Sequence, residues 1–196
     1  MRAETRIRRQ AQIEDAAYAL LEEKGYAGAT MQALARRAGA SIETLYNWYG
    51  DKPGLFRALI ARNAETVQEV LDQRAGAADA AALVAVGERL LALLTGPRAV
   101  ALNRAAAADA EGTLGLALAQ GGRDIVMPHV ATLIGAITGA HGETPDRLAE
   151  LWLALLVGDL QIRRVIGTIA APDANTCRQR AETATDHLLR LYPPQG

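Results

Sequence analysis

A chain of 196 residues is long enough for one domain or two small ones with a real core. Its net charge of -1 excludes a histone-like or polybasic binder, and no apolar run reaches the length of a membrane span. The charge is unevenly shared, with ten Lys/Arg against seven Asp/Glu in residues 1–62 and eleven against fifteen in the remainder, as expected if only the front meets phosphate.

The first long helix is predicted over residues 5–24. Ile13, Ala16, Ala17, Leu20 and Leu21 fall at i, i+3, i+4, i+7 and i+8 and make one apolar face. Gly25 is positioned as its stop. Arg2, Arg6, Arg8 and Arg9 stand at or before its start, where positive charge opposes the helix dipole. Either a duplex backbone compensates them or they form a frayed, solvated arm.

Met31–Ala38 reads as a short helix capped by Thr30 and stopped by Gly39, and a second begins almost at once with Ser41 as N-cap. Two short helices joined by a tight Gly-containing turn are the pattern of a helix-turn-helix. Successive helical residues are about 100° apart. With Leu45 inward, Tyr49 lies beside it, and Glu43, Thr44 and Asn47 look out, flanked by Tyr46 and Trp48. Asn47 suits bidentate contact with adenine, and Thr44 or Ile42 suits a thymine methyl. The Tyr46 hydroxyl can reach a phosphate oxygen. An ordinary helical hairpin with a solvated polar face fits the same geometry.

Gly28-Ala29-Thr30, the run Leu34-Ala35-Arg36-Arg37-Ala38-Gly39, then Thr44-Leu45-Tyr46, Tyr49, Lys52 and Leu55-Phe56 resemble the DNA-binding domain of the TetR family. The resemblance covers residues 8–60, and many positions agree in order and spacing. It implies that Lys52 is the family's phosphate-contacting lysine, with Thr30 and Tyr46 as further backbone anchors. Thr44 and Asn47 would read base edges, with Ser41, Ile42 and Glu43 beside them. Glu43 would accept from cytosine N4 or repel backbone. Trp48 departs from the His or Tyr usual in the family, and Tyr49 from the usual Phe, so the operator preference does not carry over.

Gly50-Asp51-Lys52-Pro53 closes the second short helix and opens a helix running to about Arg74, with Asp51 as N-cap. Such a helix is long enough to carry movement from a distal domain to a reading head. Beyond Gly76 the composition turns to Ala, Leu, Val and Gly. Helices are predicted at 79–95, 98–109, 112–120, 122–140, 145–168 and 173–191, with Thr144 capping one and Pro128 kinking or starting another. The fold class expected is all-α, with nine or ten helices: a helix-turn-helix domain over 1–62 and a helical effector-binding and dimerisation domain over 63–196.

Leu148, Leu151, Trp152, Leu155, Leu156, Ile162 and Ile166 give the helix at 145–168 a wide apolar face. Cys177, Ala181, Ala184, Leu188 and Leu191 follow a 4-3-4-3 spacing. The pair can close the bundle of one chain or meet the same two helices of a second chain. The resemblance implies the second, with Leu155, Ile162, Cys177, Ala181, Ala184, Leu188 and Leu191 at a homodimer interface. It also implies an effector pocket in the middle helices. Leu90, Leu94, Leu102, Met127, Val130, Ile134, Trp152 and Leu156 are the apolar candidates for it, though plain core packing explains each of them too. Asn103, Arg104, His129, Asp159 and Arg163 are the polar ones, Asp159 and Arg163 being also an i,i+4 ion pair. Residues 111–139 and 151–167 resemble the C-terminal domain of AefR-like TetR regulators.

Nothing points to an enzyme, a cofactor or a metal. His129, His141 and His187 lack metal-ligand spacing with each other or with Cys177, and no Gly-rich phosphate loop follows a strand. The start of the chain lacks a secretory hydrophobic core, and a single cysteine forms no intrachain disulfide, so the cytoplasm is the expected setting. The expected function is a sequence-specific transcriptional regulator. It would be a homodimer on a palindromic double-stranded DNA operator, most simply a repressor released by a small apolar effector, and without membrane contact. The alternative is a helical homodimeric adaptor whose DNA-binding motif is non-specific or inactive.

Overall fold

The computed structural model describes residues 2–73, 79–138 and 143–194, and every regular element among them is helical. The chain divides into two compact units, Met1–Arg62 with Ala101–Leu118, and Asn63–Val100 with Ala119–Gly196. The division falls inside two helices, α4 (Lys52–Gln73) and α6 (Pro97–Ala107).

The first unit contains α1 (Arg2–Gly28), α2 (Met31–Ala38), α3 (Ile42–Tyr49), the front of α4, the rear of α6, and α7 (Thr113–Leu118). Gly25 interrupts α1 at φ 64°, a left-handed conformation that glycine adopts without strain. The core is Ile13, Leu34, Leu45, Phe56 and Leu59, joined by Leu102 and Ala105 of α6 and Leu114 of α7. Tyr18 donates to the Leu59 carbonyl at 3.1 Å, and Tyr26 meets Phe56 edge to face with centroids 5.5 Å apart. Residues 101–118 therefore belong with the front of the chain, where sequence alone placed them in the distal half.

The second unit holds α5 (Ala80–Thr95), a π-helical turn at Ala119–Arg123, α8 (Asp124–Thr138), α9 (Pro145–Val157), α10 (Leu160–Val165) and α11 (Ala174–Leu191). Trp152 is fully buried at its centre, and its indole N–H donates to the Thr185 hydroxyl at 3.2 Å. Gly87 of α5 leaves room for the ring, since a Cβ there would come within 2.9 Å of the indole and 3.0 Å of Ala181. Pro128 sits inside α8 without ending it.

The helix expected at 145–168 is two helices. Gly158 breaks it at φ 50°, and Arg180 of α11 donates to the Leu156 carbonyl at 2.7 Å, capping the end of α9. Asp159 and Arg163 are 3.8 Å apart, an exposed one-turn ion pair. The stripe on α11 also differs from the reading that the resemblance favoured. Cys177, Ala181, Ala184 and Leu188 are all buried in the core of a single chain, against α5 and α9. Small residues at 181 and 184 let α11 lie close to Gly87, so that face is already occupied. These four are not available to a partner. Leu155 is half-buried, and Ile162 and Leu191 are 57% and 64% exposed.

Candidate nucleic-acid interface

Local chemistry holds α2 and α3 at a fixed turn. The Thr30 hydroxyl accepts from the Ala33 N–H at 3.1 Å and starts α2. Gly39 ends it at φ 58°, with its N–H on the carbonyls of the last turn. Ser41 then accepts from the Thr44 N–H at 3.0 Å, and the Ser41 and Thr44 hydroxyls share a hydrogen bond of 2.7 Å. Gly50 closes α3 at φ 75°. Asp51 accepts from the Gly54 N–H at 2.6 Å at the start of α4. Gly54 is required for a reason the sequence did not signal: a Cβ there would lie 2.0 Å from the Tyr49 carbonyl oxygen.

On this frame Leu45 is fully buried and rotates the rest of α3 outward. Tyr46 is 47% exposed and Ile42 37%, and Glu43 and Asn47 are exposed beside them. Thr44 is half-buried and Ser41 exposed, each with its hydroxyl engaged in the cap. Thr30 is exposed at the head of α2. The arrangement is a short rigid helix with a polar outer face, the shape that enters a major groove.

Lys52 stands in the first turn of α4. Its ammonium lies 4.0 Å from the centre of the Tyr26 ring and donates to the Ala27 carbonyl at 3.4 Å. Partial burial pulls the ammonium below the usual lysine range. Tyr49 turns inward. Its hydroxyl is buried without a hydrogen-bond partner, and desolvation, with Glu14 nearby, pushes the phenol up to about 12. Glu14 itself is buried, its carboxylate 3.8 Å from the Arg62 guanidinium. Sequence reasoning passed over Glu14 because it lies on the same helix as the apolar face it interrupts.

The basic groups around α2 and α3 have distinct partners. Arg37 pairs with Glu23 at 2.7 Å, which lowers the Glu23 carboxyl. The Arg6 guanidinium sits 5.5 Å over the Trp48 ring. Arg9 donates to the Gly39 carbonyl and, at 3.2 Å, to Gln12.

The expected effector residues divide between the cores of the two units. Val130, Ile134, Trp152 and Leu156 are fully buried in the second unit's core, with Leu94 and Met127 at its edge. Leu102 is buried in the other core, that of the first unit, and Asp159 is exposed. Apolar side chains spaced for a lining are equally spaced for packing. An open cleft of about 270 Å³ lies between Arg123, Asp124, Met127, Pro128, Asp146, Ala149 and Glu150. Among the described residues no His, Cys, Asp or Glu cluster could hold a metal, and His141 lies outside them. No single described helix is long and apolar enough to cross a membrane.

The sequence matches two family descriptions: bacterial regulatory proteins of the tetR family over residues 13–59, and the AefR-like transcriptional repressor C-terminal domain over residues 81–194. The uncharacterized HTH-type transcriptional regulator YvkB of Bacillus subtilis is 34% identical over 64 residues, which are 33% of this chain and 34% of that protein. The match thus spans about a third of the length of the curated relatives. A solved TetR transcriptional regulator from Agrobacterium tumefaciens is 29% identical, with a TM-score of 0.73 over 95% of each chain. FadR of Bacillus subtilis, solved in complex with stearoyl-CoA, shares the fold at 14% identity, with a TM-score of 0.72 over 91% of this chain and 96% of that one.

Proposed function

This chain belongs to the TetR family, whose members are non-enzymatic DNA-binding regulators, and from that membership we propose that it is a cytoplasmic homodimeric repressor released by a small apolar effector. The observation that carries the reading is the outer face of α3, where Glu43, Tyr46 and Asn47 stand exposed on a helix locked by Leu45 and by the Ser41 cap. Asn47 and Thr44 read base edges, while Thr30, Tyr46 and Lys52 hold the backbone. Ser41 and Ile42 border the contact. Lys52 reaches phosphate on leaving its seat over Tyr26.

A helix-turn-helix reader spans two half-sites about one turn of DNA apart, or a multiple of it, only as a dimer. Support for the interface shifts from the buried α11 stripe to the apolar side chains left in water. These are Ile162 and Ile166 at α10 and Leu191 at the end of α11, with Leu155 half-buried. An apolar effector enters the second unit by opening its packed core at Leu94 and Met127. It disfavours the DNA-competent dimer in proportion to its preference for the other state. FadR, which shares the fold, is solved with stearoyl-CoA, a ligand whose acyl chain is apolar.

The test is selection of bound duplexes from a random pool with the purified protein, followed by affinity against salt. One palindromic motif, bound tightly with a steep salt slope, is the expected result. Weak binding with no motif would overturn it in favour of a helical adaptor.

A further inference from the structure

Trp48 and the first turns of α1 do something that the helix-turn-helix does not require. The helix begins at Arg2, yet among its described side chains the first buried apolar one is Ile13, and Ile7 is 61% exposed. Apolar burial therefore does not hold this arm. Two side chains from one face of the arm tie it down. The Arg6 guanidinium lies 5.5 Å from the centre of the Trp48 ring on the recognition helix, and Arg9 donates to the Gly39 carbonyl in the turn between α2 and α3. The arm is thus anchored on both parts of the reading head.

We infer that Trp48 is a docking post rather than a base reader, and that it fixes Arg6 and Arg9 beside α3 as a second element for duplex phosphates. The inference rests on the DNA-binding reading above. A guanidinium held over an indole by cation–π attraction keeps N–H groups that the ring does not engage, and these bond a phosphate. Contact with the ring and phosphate binding are therefore compatible on Arg6. The outer face of α3 carries Glu43, and a basic arm beside it offsets that carboxylate near the backbone. The order lost when the arm frays is supplied in advance by Trp48, so the arm meets DNA already placed.

The experiment uses full-length protein and the motif duplex recovered by selection, with affinity measured across a salt series. Arg6→Ala is expected to weaken binding several-fold and make the salt slope shallower by about one unit. Trp48→Ala is expected to do nearly the same although it removes no charge, a result that a merely structural tryptophan away from DNA would not give. Trp48→Phe and Arg6→Lys, which keep a ring and a cation, should retain most of the slope. The double variant Arg6→Ala, Trp48→Ala should be little worse than either single one. Should Trp48→Ala fail to fold, the Arg6→Ala and Arg6→Lys pair carries the test. A wild-type slope in both Arg6→Ala and Trp48→Ala, on a motif that the wild type binds tightly, would overturn this inference and leave the functional reading intact. Absence of any motif with the wild type would overturn both.

Discussion

On α3, Leu45 is buried while its neighbours Tyr46 and Asn47 face solvent. On α11, Cys177, Ala181, Ala184 and Leu188 turn inward while Arg178, Glu182 and Asp186 face solvent. The same helical period produced both patterns, yet on α3 the residues singled out for chemistry lie outside and on α11 four of them form the core. Periodicity reports which side chains share a face. It does not report whether that face meets the chain's own helices, a second copy or a ligand. Polar outer faces survived this ambiguity because a desolvation cost keeps them out of the core. Apolar faces did not.

The largest expected effect sharpens the contrast from the second unit. Trp152→Ala removes a fully buried ring and its hydrogen bond to Thr185, and should cost about 3–5 kcal/mol by urea denaturation. A cost near zero would mean the ring fills a ligand space and not a core. Next, from the first unit, Asn47→Ala should cost about 1–3 kcal/mol at one base position and relax the preference there. Equal loss on every duplex would end its role as a reader.

Lys52→Ala should weaken all duplexes alike and make the salt slope shallower by about one unit. Since its ammonium is seated on Tyr26, an unchanged slope with reduced thermal stability would make it a structural latch instead. The smallest effect belongs to Tyr49→Phe, which removes a buried hydroxyl lacking a hydrogen-bond partner and should change stability by less than about 1 kcal/mol, in the stabilising direction. The sign with pH is fixed. Because the phenol is raised from 10.0 to about 12, the unfolded chain ionises first, so the wild type loses stability as pH rises from 10 to 12. The Phe variant should lack that part of the loss, as thermal melting across this range would record.

Most of the candidate interface was legible because its elements are short and self-capped. Thr30, Ser41 and Gly39 each act within a few residues, through one hydrogen bond or one left-handed φ, and Leu45 alone sets the rotation of α3. The placement of Leu102 was not legible, since an Ala-rich helix such as α6 offers small apolar residues all round and can add to either core. Nor was the seat of Lys52 on Tyr26, or that of Arg6 on Trp48. Each joins residues far apart in the chain, and nothing local marks a cation for one ring.

By itself the sequence determined the helices, the caps and stops of the first unit, and the polar face of α3, because backbone sterics and hydrogen bonds over three or four residues settle these. Only the tertiary structure decided the rest. The α11 stripe closes its own bundle, Leu102 joins the core of the first unit, the long helix breaks at Gly158 under Arg180, and the basic arm lies on the reading head. Those outcomes depend on which distant surface reaches an apolar or charged group first. Burial rewards any complementary partner, and the fold supplies one.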